Sequence, residues 1–137
     1  MKYQEVRQDL FTVDNEYYLA HCISADAKMG AGIAVQFAKN FPKIKALKQH
    51  HLDVGTCVLV DRVLNLITKK VYYGKPTYGT LQASLESCRD TCIASNISSI
   101  AMPQIGCGLD RLSWGKVRQI INEIFSDTNI NILVCRR

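Results

Sequence analysis

A pair of lysines closes a strand-like run in the middle of the chain and is the first candidate for chemistry. Lys69 and Lys70 end the run LNLITKK, and an amine at a strand end becomes a nucleophile where burial or nearby positive charge lowers its pKa. The same lysines also suit a solvated strand end, which is the commoner case. Strand alternation does not choose between the two lysines, because Leu66 and Ile67 are both apolar.

Two glycine-rich turns offer backbone that can approach a ligand closely. Each follows a predicted strand and precedes a predicted helix: Met29-Gly30-Ala31-Gly32-Ile33-Ala34 and Ile105-Gly106-Cys107-Gly108-Leu109-Asp110. Glycine permits φ > 0, and a helix N-terminus presents free N–H groups and partial positive charge to a phosphate. The sequence has no Walker pattern, and Val35 stands where a dinucleotide fingerprint requires its third glycine. Two such turns at the carboxyl ends of strands suit a pyrophosphate, and two tight turns without a ligand are the alternative.

Four further polar residues lie near these turns or strand ends. Asp110 comes two residues after Gly108, where it faces whatever the second turn holds or serves as an ordinary turn or capping residue. Asp9 follows the first short strand and could accept a hydrogen bond from the amino group of a nucleobase, or could be a plain turn residue. His21 and Ser24 lie near the end of the second strand, and His21 suits a core or rim position because it has no obvious metal partners.

The six cysteines raise the question of a disulfide framework or a metal site. They stand at positions 22, 57, 88, 92, 107 and 135. No two form a Cys-x-x-Cys motif, and none lies at metal-ligand spacing from a histidine. Free cysteine packs as a small hydrophobic residue, so we expect core thiols in a reducing cytoplasm and no metal site.

The charge balance favours an anionic partner without requiring one. Seventeen basic residues against twelve acidic residues give a formal net charge of +5, which suits an anionic ligand or a substrate linked to nucleic acid. Basic residues concentrate at 39–48 and at Arg136-Arg137, and a solvated basic face is the alternative interpretation. The sequence contains neither an apolar run long enough for a membrane span nor a secretory signal at its N-terminus.

Strand-like and helix-like runs alternate along the 137 residues. Strands are predicted at 3–6, 16–23, 55–60, 63–69, 97–102 and 130–134, and helices at 30–40, 43–50, 77–95 and 114–124. Only Asp61 and Arg62 separate the third and fourth strands, which predicts a tight hairpin. Several strands lack polar alternation, so both sheet faces should be covered. The pattern predicts one domain over residues 1–137, a three-layer α/β/α fold with a mixed, largely parallel sheet.

Six stretches in this order resemble the macrodomain family, whose α/β fold binds ADP-ribose. They are Gln8-Asp9-Leu10-Phe11, Leu19-Ala20-His21-Cys22-Ile23-Ser24, Met29-Gly30-Ala31-Gly32-Ile33-Ala34-Val35-Gln36-Phe37, Leu66-Ile67-Thr68-Lys69-Lys70, Lys75-Pro76-Thr77-Tyr78 and Met102-Pro103-Gln104-Ile105-Gly106-Cys107-Gly108-Leu109-Asp110-Arg111-Leu112. More narrowly they resemble the terminal ADP-ribose protein glycohydrolase branch, which uses a lysine and an aspartate. The combination of ITKK with IGCGLDRL makes the resemblance specific.

The resemblance implies a role for each matching residue. Lys69 would be the catalytic lysine and Asp110 its partner, Asp9 would hold the adenine amino group with help from the Leu10 backbone, and Ser24 would lie near the distal ribose. The diphosphate would be lined by Gly30, Ala31, Gly32 and Ile33 on one side and by Gly106, Cys107, Gly108 and Leu109 on the other. His21, Pro103 and Ile105 complete the expected substrate-binding set.

One position departs from the pattern of that branch. Where the branch has an aromatic residue beside the adenine, this sequence has Cys135. Stacking on the adenine is therefore expected to be weaker, or to use an arginine or another aromatic residue such as Phe11.

The activity implied by the resemblance is the removal of mono-ADP-ribose from proteins modified on Glu or Asp, through a lysyl–ADP-ribose intermediate. O-acyl-ADP-ribose is a further candidate substrate. Three alternatives remain open: a non-catalytic ADP-ribose reader, a hydrolase of ADP-ribosylated DNA, and a phosphatase acting on ADP-ribose 1″-phosphate. The resemblance further implies a monomer that needs no metal or other cofactor and has no membrane partner.

Overall fold

Six strands form one mixed sheet in the computed structural model, which describes residues 1–136. Arg137, half of the terminal basic pair, lies outside the described residues. The strands are β1 Lys2–Arg7, β2 Tyr18–Ser24, β3 Thr56–Val60, β4 Val63–Lys69, β5 Ser99–Met102 and β6 Asn131–Arg136. Their order is β1-β6-β5-β2-β4-β3, and every neighbouring pair is parallel except β3 and β4. The predicted mixed, largely parallel sheet is confirmed, and so is the hairpin turning at Asp61 and Arg62.

Helices cover both faces of this sheet and bury a separate apolar core on each. The helices are α1 Ile33–Asn40, α2 Tyr78–Ala94 and α3 Trp114–Phe125, with a 3-10 helix at Pro42–Gln49 and a 3-10 turn at Leu10–Thr12. Leu64 and Leu66 of β4 belong to the core under α2 and α3, whereas Val63 and Ile67 belong to the core under α1. Alternate residues of a strand point to opposite faces, so β4 carries apolar residues on both faces because both are covered, and the polar Asn65 among them is also buried. The predicted three-layer α/β/α architecture is confirmed.

The buried faces of the two long helices follow the sequence pattern closely. The predicted stripe of Leu81, Leu85, Cys88 and Cys92 on α2 is fully buried, and Thr77 caps this helix through a reciprocal pair of hydrogen bonds with Thr80. On α3 the residues of the predicted stripe at positions 114, 117, 121 and 124 all pack against the same core, and the structure adds Ile120 and Phe125 to the buried face. The six cysteines are free, and no helix within residues 1–136 is long and apolar enough to cross a membrane.

Two helix predictions differ from the structure at their N-terminal ends. The helix predicted over 30–40 begins only at Ile33, because Gly32 adopts φ +63 and so cannot continue a right-handed helix backwards. The segment predicted over 43–50 is a 3-10 helix that begins at Pro42, whose fixed φ suits the first position of a helix. Residues 30–32 are thereby left as an exposed loop ahead of α1.

Candidate active site at the carboxyl ends of the strands

Two adjoining cavities form a groove across the edge of the sheet at which the parallel strands end. The larger cavity has a volume of about 700 Å³ and the smaller about 170 Å³, and Ile33, Pro103 and Gln104 line both. The larger cavity holds Lys69 and Asp110, and we call it the Lys69 end. The smaller cavity holds Asp9, and we call it the Asp9 end. Ligands of open α/β sheets bind beyond the carboxyl ends of the strands, where this groove lies.

An ion pair at the Lys69 end joins the last residue of β4 to the loop that follows β5. The Lys69 Nζ donates to the Asp110 Oδ1 at 2.7 Å, and each side chain is 15% exposed. The register of β2 against β4 shifts here, so that Ser24 pairs with Lys69 and Thr68 is passed over. A bulge of this kind re-aims a side chain, and it distinguishes Lys69, which points into the groove, from its exposed neighbour Lys70.

Two side chains tie together the loops around this ion pair. The Asp26 carboxylate accepts hydrogen bonds from the Ser24 hydroxyl, from the Lys28 amide at 3.3 Å and from the Tyr72 amide at 3.0 Å. Partial burial acts to raise the pKa of Asp26, but these hydrogen bonds hold it below its ordinary value. The Lys75 Nζ donates to the Leu109 carbonyl at 2.7 Å. Asp26 and Lys75 therefore fix the relative positions of the loops after β2, β4 and β5.

The two glycine turns give the groove room and positive charge. A Cβ built on Gly30 or Gly108 would meet no atom within 4 Å, so at both positions the missing side chain leaves open space. Gly32 precedes the first turn of α1 with no side-chain cap, which leaves that helix N-terminus to attract an anion. The second turn differs from expectation, because α3 begins only at Trp114 and so does not follow its glycines directly.

The charges that line the Lys69 end are three lysines and one aspartate. The lysines are Lys28, Lys69 and Lys75, and the aspartate is Asp110. The balance is positive, and the site therefore favours an anionic ligand.

Two thiols stand close to the Lys69–Asp110 pair without being suited to act as nucleophiles. Burial, reinforced by the negative charge of Asp110, raises the pKa of Cys22 to about 12. Burial also raises the pKa of Cys107, whose Sγ donates to the Ile105 carbonyl at 3.3 Å. Both thiols are neutral near pH 7, and a neutral thiol is a poor nucleophile. The amine of Lys69 is the better candidate.

His21 supports the groove from below as a neutral, buried ring. Its side chain is 0% exposed, stacks on Phe37 with ring centroids 3.9 Å apart, and places Nε2 2.7 Å from the Asn65 Oδ1. The Asn65 amide donates to the Val58 and Val63 carbonyls, so its oxygen must accept from the imidazole. Burial lowers the pKa of His21 to about 4, which keeps the ring uncharged.

The Asp9 end is held by interactions with the surrounding backbone and side chains. Asp9 accepts a hydrogen bond from the Phe11 amide at 3.0 Å and so caps the 3-10 turn. Arg136 lines this cavity beside Cys135, and its Nε lies 3.8 Å from the Glu5 Oε1. Phe11 packs edge-on against Phe37, with ring centroids 5.0 Å apart, and is not among the lining residues. Of the two suggested replacements for the missing aromatic, the arginine is therefore the one in position.

The structure brings almost all the sequence-predicted site residues to this groove. The Lys69 end contains His21, Ser24, Gly30, Ala31, Gly32, Ile33, Lys69, Pro103, Ile105, Gly106, Gly108, Leu109 and Asp110. The Asp9 end contains Asp9, Leu10, Ile33 and Pro103. Cys107 is the exception, because its side chain packs against the core under α2 and α3 instead of lining the groove.

Sequence reasoning missed several residues of the Lys69 end. They are Cys22, Ile23, Lys28, Ala34, Tyr72, Tyr73, Lys75 and Gln104 among the lining residues, and Asp26 behind them. The adjacent tyrosines three and four residues after Lys69 were a usable signal, since large apolar side chains that stay exposed beside a candidate site need a reason. Within residues 1–136, no three His, Cys, Asp or Glu side chains are grouped as metal ligands would be.

Comparisons with known proteins find relatives of this chain in sequence and in fold. Residues 20–121 match the family model described as Macro domain. The chain is 44% identical over 133 residues to the human protein named ADP-ribose glycohydrolase OARD1, covering 94% of this chain and 88% of that protein. It is 28% identical over 130 residues to the DNA ADP-ribosyl glycohydrolase of Mycobacterium bovis, covering 85% of this chain and 37% of that protein. The solved macrodomain of Thermus aquaticus DarG superposes with a TM-score of 0.87 at 24% identity, covering 98% of each chain.

Proposed function

The chain belongs to the macro domain family, and from that premise we propose that it is an enzyme that hydrolyses ADP-ribosyl groups. Its preferred substrate in this proposal is mono-ADP-ribose esterified to a Glu or Asp side chain of a protein. The observation that carries the proposal is the Lys69–Asp110 contact of 2.7 Å at one end of the groove. Proteins whose names record glycohydrolase activity on ADP-ribosyl groups are among its relatives, which supports the general reaction.

The shape and charge of the groove support ADP-ribose as the bound part of the substrate. Asp9 follows β1 and Lys69 ends β4, and these strands lie four positions apart in the sheet, a span of about 19 Å at the usual strand spacing. An extended molecule with a base at one end and a ribose at the other suits that span. The open space at Gly30 and Gly108 and the lysine-rich lining suit the diphosphate between them.

In the proposed mechanism the Lys69 amine attacks the anomeric carbon of the distal ribose. The bond between that carbon and the acceptor oxygen breaks, the acceptor carboxylate leaves with the bonding electrons, and a bond from Nζ to the anomeric carbon forms. Asp110 lies against Nζ and accepts the proton that the amine gives up on attack. Asp110 returns this proton to Nζ, which makes that nitrogen a leaving group. The resulting carboxylate then acts as general base for the water that attacks the anomeric carbon, which releases ADP-ribose and the Lys69 amine, and the proton taken from water passes to solvent before the next turnover.

The groove contributes by holding the reacting carbon near Nζ. Contacts with the base, the diphosphate and the distal ribose fix the substrate along the sheet edge, and such positioning lowers the barrier by removing translational and rotational freedom before reaction. O-acyl-ADP-ribose, an ester on the same ribose, fits the same mechanism as a smaller substrate.

The direct test measures ADP-ribose released from a protein carrying glutamate-linked ADP-ribose and from ADP-ribosylated DNA. We expect release from the protein substrate by the wild type and no detectable release by Lys69→Ala. Lys70→Ala is the matched control, because it removes the adjacent, exposed amine and should retain activity. Reduction with borohydride during turnover should attach ADP-ribose covalently to the wild type and to Lys70→Ala, and not to Lys69→Ala.

Each other outcome points to a different function. A wild type that binds ADP-ribose and releases none from either substrate is a reader and not an enzyme. Faster release from DNA than from protein assigns the chain the activity named for its mycobacterial relative. Equal borohydride labelling of wild type and Lys69→Ala would refute the lysine mechanism while leaving hydrolysis itself in place.

A further inference from the structure

Three large apolar side chains stand exposed together at the rim of the Lys69 end. Tyr72 is 53% exposed, Tyr73 74% and Leu109 64%, and all three line the larger cavity. We call them the apolar rim. Within residues 1–136 only four other large hydrophobic residues are exposed, at positions 1, 35, 54 and 93. A cluster of such side chains beside a candidate active site indicates a contact surface, since scattered single residues need no explanation.

The apolar rim is held in place by its neighbours. The Tyr72 amide donates to the Asp26 Oδ2 at 3.0 Å, and the Lys28 Nζ lies 4.9 Å from the centroid of the Tyr72 ring. The rings of Tyr72 and Tyr73 meet edge to face with centroids 5.2 Å apart. On the opposite side, Lys75 fixes the Leu109 carbonyl. A surface that is ordered before binding loses little conformational entropy when a partner contacts it.

The apolar rim lies where the acceptor must leave the groove. This step rests on the proposed function, in which the base of ADP-ribose occupies the Asp9 end and the distal ribose reaches Lys69. The acceptor is attached to that ribose and therefore continues beyond Lys69. The loop that follows β4 carries Tyr72 and Tyr73 only three and four residues after Lys69. The group that the reaction releases must pass this loop.

The chemistry of the apolar rim favours a polypeptide over a nucleic acid. Sequence-tolerant binding of single strands relies on bases that stack on open aromatic faces. Here Lys28 lies over the Tyr72 ring, and Tyr73 meets the same ring at an interplanar angle of 89°, while Leu109 offers aliphatic surface. Aliphatic and aromatic side chains of a peptide can pack against such edges, and Lys28 and Lys75 would attract its carboxylates.

We propose that Tyr72, Tyr73 and Leu109 form a docking surface for the acceptor polypeptide. The surface takes a segment with an apolar side chain next to the modified carboxylate and further acidic residues around it. The apolar rim thereby selects among acceptors, while Lys69 and Asp110 carry out the reaction common to all of them.

The test compares substrates that share ADP-ribose and differ in the acceptor. The substrates are an acidic peptide carrying glutamate-linked ADP-ribose, O-acetyl-ADP-ribose as a small ester without a polypeptide, and an ADP-ribosylated single-stranded DNA. The variants are Tyr73→Ala and the pair Tyr73→Glu and Tyr73→Lys. Ile93→Ala is the matched control, because Ile93 is similarly exposed, at 58%, and lies on α2 outside the residues that line the groove.

We expect Tyr73→Ala to raise KM for the peptide about tenfold, which is somewhat less than the loss at an interface hot spot, with a much smaller change for O-acetyl-ADP-ribose. Tyr73→Glu should bind the acidic peptide more weakly than Tyr73→Lys, because the added carboxylate repels it. Ile93→Ala should match the wild type on all three substrates. Thermal unfolding of each variant shows whether the fold is intact.

Four results would overturn the docking surface or one part of it. Equal loss on peptide and small ester would place Tyr73 in ADP-ribose binding. Equal peptide kinetics for Tyr73→Glu and Tyr73→Lys would remove the preference for an acidic acceptor, and a larger loss on the DNA would replace the polypeptide by a nucleic acid. A wild type active on none of the three substrates would overturn the proposed function and the docking surface together.

Discussion

At the Lys69 end two opposite charges meet directly inside the groove, whereas at the Asp9 end the charged side chains are held by residues outside it. The Lys69 Nζ lies 2.7 Å from the Asp110 Oδ1. Asp9 caps a backbone turn and Arg136 pairs with Glu5. The first arrangement places a proton donor and a proton acceptor where they can change state during a reaction. The second holds its charged groups in position and so suits recognition.

This difference separates what each end should control. Changes at the Lys69 end should alter the rate of reaction with modest effects on affinity for ADP-ribose. Changes at the Asp9 end should alter affinity and leave the rate at saturating substrate intact. The comparison fails if one set of substitutions produces both effects equally.

After the loss of activity expected of Lys69→Ala, the largest effect is expected from Asp110→Asn. The amide keeps the size of the side chain but cannot act as a base, so kcat should fall by about 10²-fold to 10⁴-fold. The affinity for ADP-ribose should change only a few-fold. Steady-state kinetics and calorimetric titration measure the two quantities. A loss of binding that accounts for the whole loss of activity would show that Asp110 only positions the ligand.

A second prediction concerns His21, the neutral, buried ring beneath the Lys69 end. The pKa of His21 is about 4 in the fold against 6.5 for an unperturbed histidine. Between pH 4 and pH 6.5 the unfolded chain therefore binds more protons at His21 than the folded protein does. The contribution of the neutral ring to stability is fully present above pH 6.5 and is lost as the pH falls towards 4. The loss is about 3 kcal/mol when each pKa unit is taken as 1.36 kcal/mol.

Denaturant unfolding of wild type and His21→Gln between pH 7 and pH 4 tests whether the neutral His21 ring contributes this loss of stability. Glutamine can still hydrogen-bond Asn65 but cannot titrate, so the stability of the variant should fall less steeply than that of the wild type. Glu5 and Asp26, whose pKa values are lowered by hydrogen bonds despite partial burial, contribute acid sensitivity to both proteins and cancel in the difference. Parallel stability curves would mean that His21 is not kept neutral by its burial.

A smaller effect is expected at the other end, from Asp9→Asn. The amide oxygen can still accept the hydrogen bond from the Phe11 amide. The second carboxylate oxygen is replaced by an NH2 group, a donor that faces the amino group of the base. The affinity for ADP-ribose should fall by about 1–2 kcal/mol, roughly tenfold, with kcat unchanged. Asp127→Asn, at an exposed position in the turn before β6, controls for the loss of one negative charge. A fall in kcat would contradict the division between the two ends.

The smallest effect is expected between the two ends, from Gly30→Ala. The added methyl meets no protein atom within 4 Å, so it should leave thermal stability unchanged while occupying space meant for the ligand. A crowding cost of about 1 kcal/mol weakens binding roughly fivefold. Gly115→Ala on α3 also meets no atom within 4 Å and is the matched control. Unchanged affinity in both variants would place the diphosphate elsewhere.

Much of the fold could be predicted because it follows from local patterns. The glycine turns marked loops, the stripe of Leu81, Leu85, Cys88 and Cys92 marked a buried helix face, and the two residues between β3 and β4 marked a hairpin. These features depend on neighbours within a few residues along the chain, which is the range over which backbone geometry repeats. The buried face of α3 shows the limit, since it is wider than the predicted stripe and tertiary contacts also bury Ile120 and Phe125.

The candidate site depended more heavily on contacts between distant segments. The sequence pattern alone left Lys69 and Lys70 equivalent, and only the family resemblance preferred Lys69. The shift in register at Ser24 gives that preference a physical cause. Asp26 and Tyr73 were missed because each gains its role from a loop that follows a different strand.

The sequence by itself determined that alternating strands and helices would form a layered α/β domain, with glycine turns at strand ends and a lysine and an aspartate close by. The tertiary structure decided which lysine enters the groove, that Asp110 reaches it from 41 residues away, and that Cys107 turns into the core. The reason is that periodicity encodes which face of an element is buried, whereas the order of strands and their register decide which loops meet. Those long-range choices are made by packing the whole sheet and leave no mark in any one segment.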